Sequence, residues 1–354
     1  MPAPHREVEV AGRTVRISNP DKPYFPALAA TKWDHVQYHL AVVEGTLIGC
    51  RERPTMLHRY PDGLDGEEIY QKRVPHPPDW IETVTVTFPS GREARFLCPT
   101  EPAHVIWAVN LGCLEMNPWN VRRGDVEHPD ELRIDLDPTP DAPFSDARIV
   151  AMEAKNALEE YGLVPFPKTS GKRGIHVYCR IAQEWTFADV RRAALAVARE
   201  VEKRIPKLVT TAWWREERHG GVFMDYNQNA RDRTIASAYS VRPTPNAQVS
   251  SPLRWDEVPD VEPQDLTMLT VPARFASIGD PGAAIDDAAH RGRLEPLLEL
   301  SEKQKSEGLD EAPYPPNFPR AEGEPRRVQP SRAKREPTER GQGRWSRRRH
   351  AADE

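Results

Sequence analysis

The sequence predicts an α+β fold centred on a β-α-β-β-α-β unit. Two observations carry this. Between residues 132 and 226 four short runs are alternating or β-branched, and two longer runs repeat apolar residues at helical spacing. Their order is strand, helix, strand, strand, helix, strand, the split ferredoxin-like arrangement.

LRIDLDP (132–138) reads as the first strand. Ser145 is a candidate cap for a helix whose apolar positions Val150, Ala154, Ala157, Leu158 and Tyr161 share one face, ending at Gly162. LVPFPKT is a short strand interrupted by prolines, and GIHVYCRI (174–181) is the third. Val190, Ala194, Val197, Val201 and Ile205 mark the second helix, stopped by Pro206, and GVFMDY (221–226) is the fourth strand. In this topology, shared with RNA-recognition motifs, the third and fourth strands flank the first. Both helices cover one face, leaving the other open.

The segment before it, to about Asn120, reads as short strands and turns. VEVAGRTVRIS is a hairpin turning at Gly12, TVTVTF (83–88) alternates, and GREARFL follows a Ser-Gly turn. TKWDHVQYHLAVVEGTL has helical spacing, and TEPAHVIWAVNLG is a second helix ending near Gly112. We divide the chain into an α/β module over 1–120, the module with the candidate site over 121–318, and a Pro- and Arg-rich tail over 319–354. The tail has too few apolar residues to fold and is read as disordered.

Composition narrows the function. Hydrophobic residues make up 38% of the 354, enough for an ordinary core. No apolar run approaches the roughly 18 residues of a membrane span, and the N-terminus lacks a signal-like stretch. A cytoplasmic protein is expected. Cys50, Cys98, Cys113 and Cys179 are scattered without metal or redox spacing, so buried free thiols are expected. Net charge is −5, yet residues 320–354 hold 11 Lys and Arg against 6 Asp and Glu, +5, which leaves −10 elsewhere. An acidic total is compatible with nucleic-acid binding if a local surface is basic.

The chemistry concentrates in the predicted sheet. Asp135 and Asp137 lie two apart on a strand, so both face one side while Leu132, Ile134 and Leu136 face the other. An isolated DxD is ordinarily a solvated strand face. Here the predicted topology sets Asp225 and His176 on the same face as the pair. Three converging carboxylates form a hard-oxygen site for two Mg²⁺ or Mn²⁺ ions, the arrangement of phosphoryl transfer. SGKRG (170–174) precedes the third strand, where small residues admit an anion to the backbone and Lys172 and Arg173 add charge. It lacks Walker spacing, and an ordinary hairpin turn is the competing reading.

DLDP, KTSGKRGIHVY and VFMDYNQNARDRTIASAYSVRPTP together resemble the polymerase domain of bacterial DNA ligase D, of the archaeo-eukaryotic primase superfamily. The resemblance runs from about Val8 to Pro319 and includes RYPDG, PDW, LEMNPW and SPLRWDEV. It implies a primase-polymerase fold. The tail is too short for ligase or nuclease domains, so the likeness is to stand-alone actinobacterial homologues. By position, Asp135, Asp137 and Asp225 correspond to the metal triad, and Ser170, Lys172 and His176 to the triphosphate motif. Gln228 and Arg242 lie where the family contacts nucleotide. Asn19, Lys22 and Lys32 match the pocket for the 5′-phosphate of a gapped or broken end. Two departures stand out. Asn117 replaces the family's histidine beside the sugar. Ile69 and Tyr70 replace two template-stacking phenylalanines, leaving Tyr70 as the stacking face.

The resemblance therefore implies a polymerase that fills short gaps or extends broken DNA ends, prefers ribonucleoside triphosphates, responds to Mn²⁺, and works beside Ku and a separate ligase. End joining and base-excision repair stay open. The rivals are a primase that starts strands de novo and a non-catalytic RNA-binding sheet. The latter lacks the expected aromatic signature and would repel phosphate with its carboxylates.

Overall fold

The computed structural model describes residues 4–88, 91–309, 311–315 and 318. The tail expected over 319–354 lies outside the described residues. The chain begins with a hairpin, β1 (His5–Val10) and β2 (Arg13–Ser18). Its turn takes positive φ at Ala11 and Gly12, the twist that suits a two-residue hairpin. Short strands β3 (Pro23–Phe25) and β4 (Ala30–Thr31) lead into helix α1 (Lys32–Ala41), which Thr31 and Asp34 start with a capping box.

One helix was expected over residues 31–47, but the chain turns at Val42 and continues as α2 (Val43–Cys50). Close approach fixes the new direction. A Cβ on Gly45 would lie 2.4 Å from Tyr239 Cε2, and one on Gly49 2.3 Å from Ser237 Oγ. Only glycine admits such contact.

β5 (Thr55–Arg59), β6 (Ile69–Gln71), β7 (Thr83–Thr87), β8 (Glu93–Leu97) and β9 (Cys113–Pro118) form one antiparallel sheet, with α3 (Pro102–Asn110) before β9. Strand order is β6-β5-β8-β7, and β9 pairs with β5. Val36, Leu47, Leu57, Ile106 and Val109 fill the core between this sheet and the helices.

The second sheet is built from β10 (Glu131–Pro138), β11 (Pro165–Thr169), β12 (Ile175–Arg180), β13 (Val209–Thr210) and β14 (Val222–Asp225). Its order is β11-β12-β10-β14-β13. The expected strand order therefore holds, with β10 between β12 and β14. The added β13 runs parallel to β14 over two residues, too short to carry periodicity.

Helices α4 (Phe144–Glu160) and α5 (Phe187–Arg204) cover one face, burying Leu132, Ile134, Leu136, Val177 and Met224 beneath Val150, Ala154, Val190 and Val197. Ser145 does not cap α4, which begins one residue earlier with Pro143 as a cap that makes no side-chain bond. Thr186 and Asp189 form a capping box on α5.

The opposite face is not open along its length. Arg133 donates to the carbonyl of Pro118 at 2.8 Å, and Lys168 to that of Ala236 at 2.8 Å. The end of β9 and the chain near 236–250 thus close much of it, leaving the Asp135–Asp137 end accessible. Helices α6 (Val271–Ile278) and α7 (Glu295–Ser306) are the last helices among the described residues.

A buried ion network ties these parts together. Asp130 is fully buried and pairs with Arg53, Arg122 and Arg180, while Arg122 also reaches Asp286. Neighbouring Glu131 pairs with Arg53 and Arg133.

Candidate active site

Register assembles the site. On β10, Asp135 is the direct antiparallel partner of both His176 on β12 and Asp225 on β14. Lys168 on β11 faces His176 in turn. Directly paired residues point to the same face, so Lys168, His176, Asp135 and Asp225 form one row across four strands. Asp137 lies two residues further on, opposite Phe223.

Gln228 spans the carboxylates, its amide 3.3 Å from Asp135 Oδ2 and 3.2 Å from Asp225 Oδ2. The backbone N–H of Asn227 donates to Asp225 Oδ1 at 2.8 Å. Burial, then repulsion from Asp225 and Asp137, pushes the Asp135 carboxyl up to about 8. Burial also raises Asp137 and Asp225. A divalent cation would relieve both causes, and the donors are the hard oxygens such a cation takes. As placed, no group of three or more His, Cys, Asp or Glu side chains among the described residues closes on one point. Asp135 and Asp225 are side by side, and Asp137 would have to draw in to complete a shell.

A cleft of about 780 Å³ is lined by His176, Asp135 and Asp137 together with Asn117, Ser170, Lys172, Gln228 and Arg242, while Lys168 is buried behind it and Asp225 borders a neighbouring trough that shares Asp137. The SGKRG turn differs from the expected cradle of free amides. The Ser170 hydroxyl accepts from the N–H of Lys172 at 3.1 Å and of Gly174 at 2.9 Å, so those two amides hold the turn. With both lone pairs engaged, the hydroxyl keeps its hydrogen to donate. Arg173 donates to the carbonyls of Thr139, Pro140 and Ala142, pinning that loop. Lys172 is exposed in the cleft.

Three groups on the cleft or behind it were not singled out in the sequence. Glu115 pairs with Arg242 at 3.0 Å and with His58 at 2.8 Å. Its spacing of two from Asn117 on a strand was the available signal. Lys168 is buried, with Nζ 2.6 Å from His176 Nδ1 and 2.6 Å from Ser250 Oγ. The Ser250 hydroxyl donates to the Thr169 carbonyl and therefore accepts from Lys168. With Lys168 protonated, its third hydrogen goes to His176 Nδ1, which leaves Nε2–H facing Asp135 Oδ1 at 3.4 Å. Arg218 lies over the Phe223 ring at 3.5 Å, in a trough beside Asp137 shared with Trp213 and Trp214.

Asn117 is buried on β9, lines the cleft, and donates its amide to the Glu115 carbonyl at 3.3 Å. Tyr70 is 61% exposed and stacks on His58, ring centroids 4.2 Å apart. His58 also lies 3.1 Å from Glu68, so a buried imidazole backs the exposed ring.

The amino-terminal cluster converges at the start of α1. Asn19 takes positive φ there, and the Lys32 N–H donates to the Lys22 carbonyl at 2.8 Å. The Lys32 ammonium is buried against the Ser18 carbonyl at 2.7 Å and Asn110 Oδ1 at 2.9 Å. Burial, then the charges of Lys22 and Arg59, pulls it down to about 8. Lys22 pairs with Asp62 at 2.6 Å. Arg59, unmarked in the sequence, is thus a third cation beside the two lysines.

All four cysteines are free and buried. No helix among the described residues is long and apolar enough to cross a membrane.

The chain is 29% identical over 296 residues to the multifunctional non-homologous end joining protein LigD of Mycolicibacterium smegmatis, covering 82% of this chain and 39% of that one. It is 30% identical over 271 residues to the bifunctional non-homologous end joining protein LigD of Bacillus subtilis, covering 75% and 43%. The match thus spans about two fifths of these relatives. The polymerase domain of Mycobacterium tuberculosis ligase D, solved in complex with DNA, superposes with a TM-score of 0.73 at 28% identity, covering 77% of this chain and 98% of that one. The family model for the LigD primase-polymerase domain matches residues 31–282, and on that match the chain belongs to the LigD primase-polymerase domain family.

Proposed function

We propose that the protein is a template-directed nucleotidyltransferase that fills gaps or extends broken ends in DNA. The observation that carries this is the row Lys168, His176, Asp135 and Asp225, whose His176 and Asp135 line, with Asp137, a cleft that also presents Lys172 and Arg242. Carboxylates for cations and donors for a triphosphate share one cavity. Two Mg²⁺ or Mn²⁺ ions held by Asp135, Asp137 and Asp225 would activate the primer 3′-hydroxyl and stabilise the leaving pyrophosphate.

The protein's own groups do the positioning. The His176 Nε2–H, the Ser170 hydroxyl, Lys172 and Arg242 hold the triphosphate. Gln228 keeps Asp135 and Asp225 at a fixed separation. Asn117 borders the sugar, and Tyr70 offers a template base a stacking face. Asn19, Lys22 and Lys32 receive the downstream 5′-phosphate.

Ribonucleotide preference, stimulation by Mn²⁺, and work beside Ku and a separate ligase belong to the same proposal. The relatives' names support end joining, and the DNA complex of the solved relative supports a DNA substrate. The test is primer extension on a gapped duplex, with Mg²⁺ or Mn²⁺ and with rNTPs or dNTPs. Asp137→Ala should abolish extension while DNA binding survives. Extension by that variant at the wild-type rate rejects the two-metal site.

A further inference from the structure

The turn after β14 and the segment after α7 meet at one buried arginine. Arg191 on α5 has no exposed surface. Its Nε donates to Asn227 Oδ1 at 2.7 Å. Its Nη2 donates to the carbonyls of Ala312 at 2.7 Å and Pro313 at 3.0 Å, and its Nη1 pairs with Glu311. The guanidinium lies 3.7 Å from the Tyr314 ring and 5.1 Å from the Tyr226 ring. Asn227 itself donates to the Pro313 carbonyl at 3.3 Å. Burying a cation costs on the order of several kcal/mol unless partners satisfy it. Here most of the partners come from residues 311–314, so this charge joins two segments of chain rather than filling core.

The same turn reaches the carboxylates. It is a 3-10 turn over Tyr226–Asn229, capped by the Asp225 side chain through the Asn227 N–H. Gln228 spans Asp135 and Asp225. Asn229 bonds both backbone groups of Arg133, at 2.8 and 2.7 Å, on the side of β10 where β14 has already ended. Three consecutive residues therefore tie the turn to Arg191, to the carboxylates and to the central strand.

We propose that Arg191 and Asn227 are positioning residues and that residues 311–314 are the clasp that closes on them. The segment after α7 thereby sets how well the Asp135–Asp225 pair holds a divalent cation. This rests on the two-metal reading.

The test uses the full chain. The double variant Glu311→Ala, Tyr314→Ala opens the clasp without touching the cleft. The double variant Glu311→Gln, Tyr314→Phe keeps an acceptor and a ring. Asn227→Ala cuts the link at its middle and decides the question if the alanine pair is insoluble. Mn²⁺ binding, without nucleotide or DNA, is followed by electron paramagnetic resonance of the free ion, beside thermal melting. The alanine pair and Asn227→Ala should each bind Mn²⁺ about tenfold more weakly, the scale at which groups behind a metal ligand act. The conservative pair should bind like wild type. A variant that melts lower yet binds Mn²⁺ like wild type makes the clasp a structural tie only and overturns the proposal. Asp137→Ala is the separate control: if it binds Mn²⁺ as wild type does, the two-metal reading fails as well.

Discussion

Lys168 Nζ lies 2.6 Å from His176 Nδ1, so the charge state of a buried lysine decides which nitrogen of a cleft histidine carries hydrogen. Its other two bonds go to groups that can only accept from it, so a protonated Lys168 makes the imidazole present Nε2–H to the cleft. Lys168→Met should raise the triphosphate KM about tenfold and change kcat less, the loss of one charge-assisted bond. The same substitution in a His176→Ala background should add nothing to KM. An additive effect in that double variant would show that Lys168 acts by another route.

The amino-terminal cluster predicts a pH dependence. Burial and neighbouring cations hold the Lys32 ammonium down at about 8, and a bound phosphate favours its charged form. The advantage of 5′-phosphorylated over 5′-hydroxyl gapped DNA should therefore be full well below that pH and fall as pH rises through about 8. Lys32→Ala should remove the pH dependence, and Lys22→Ala with Lys32→Ala should erase the advantage at every pH. Fluorescence anisotropy across this range checks it, and equal wild-type affinities for the two ends reject the pocket.

Asn117 is predicted to set sugar choice. A buried group that bonds the 2′-hydroxyl is left unpaired by a deoxynucleotide, which is the source of discrimination. The Asn117 amide already donates to the Glu115 carbonyl, and its side chain is shorter than imidazole. Ribonucleotide preference should persist but be modest, and Asn117→His should strengthen it. The ratio of single-turnover efficiencies for rNTP and dNTP decides, and an unchanged ratio removes Asn117 from sugar selection.

Asp130 should govern acid stability. Arg53, Arg122 and Arg180 hold its carboxyl well below the usual carboxylate range, against the opposing effect of burial. The folded value is depressed, so its stabilisation is complete above the unfolded value of about 4 and declines as pH falls below it. Asp130→Asn leaves three buried or half-buried arginines without their shared counter-charge and should cost about 3–5 kcal/mol at neutral pH. Urea unfolding at pH 7 and near pH 3.5 should show the gap to wild type narrowing in acid. A gap that does not change with pH assigns the loss to packing.

Much of the site was legible because it is local. Alternation in LRIDLDP, GIHVYCRI and VFMDY separates the residues under α4 and α5 from those on the other face, since strand side chains repeat every two residues. The β-α-β-β-α-β order then places β10 between β12 and β14, which aligns Asp135 with His176 and Asp225.

What stayed hidden depends on docking between distant segments. Lys168 finds Ala236 and Ser250, Arg191 finds Glu311 and Pro313, and Asp130 gathers arginines from both modules. The turn at Val42, the closing of the sheet's second face by β9, and the inward-facing amides of the SGKRG loop are of the same kind. A strand's pattern records which side of it is apolar. It does not record which remote carbonyl will approach the polar side, because that contact forms only when whole elements pack and the packing energy is shared over their full surfaces.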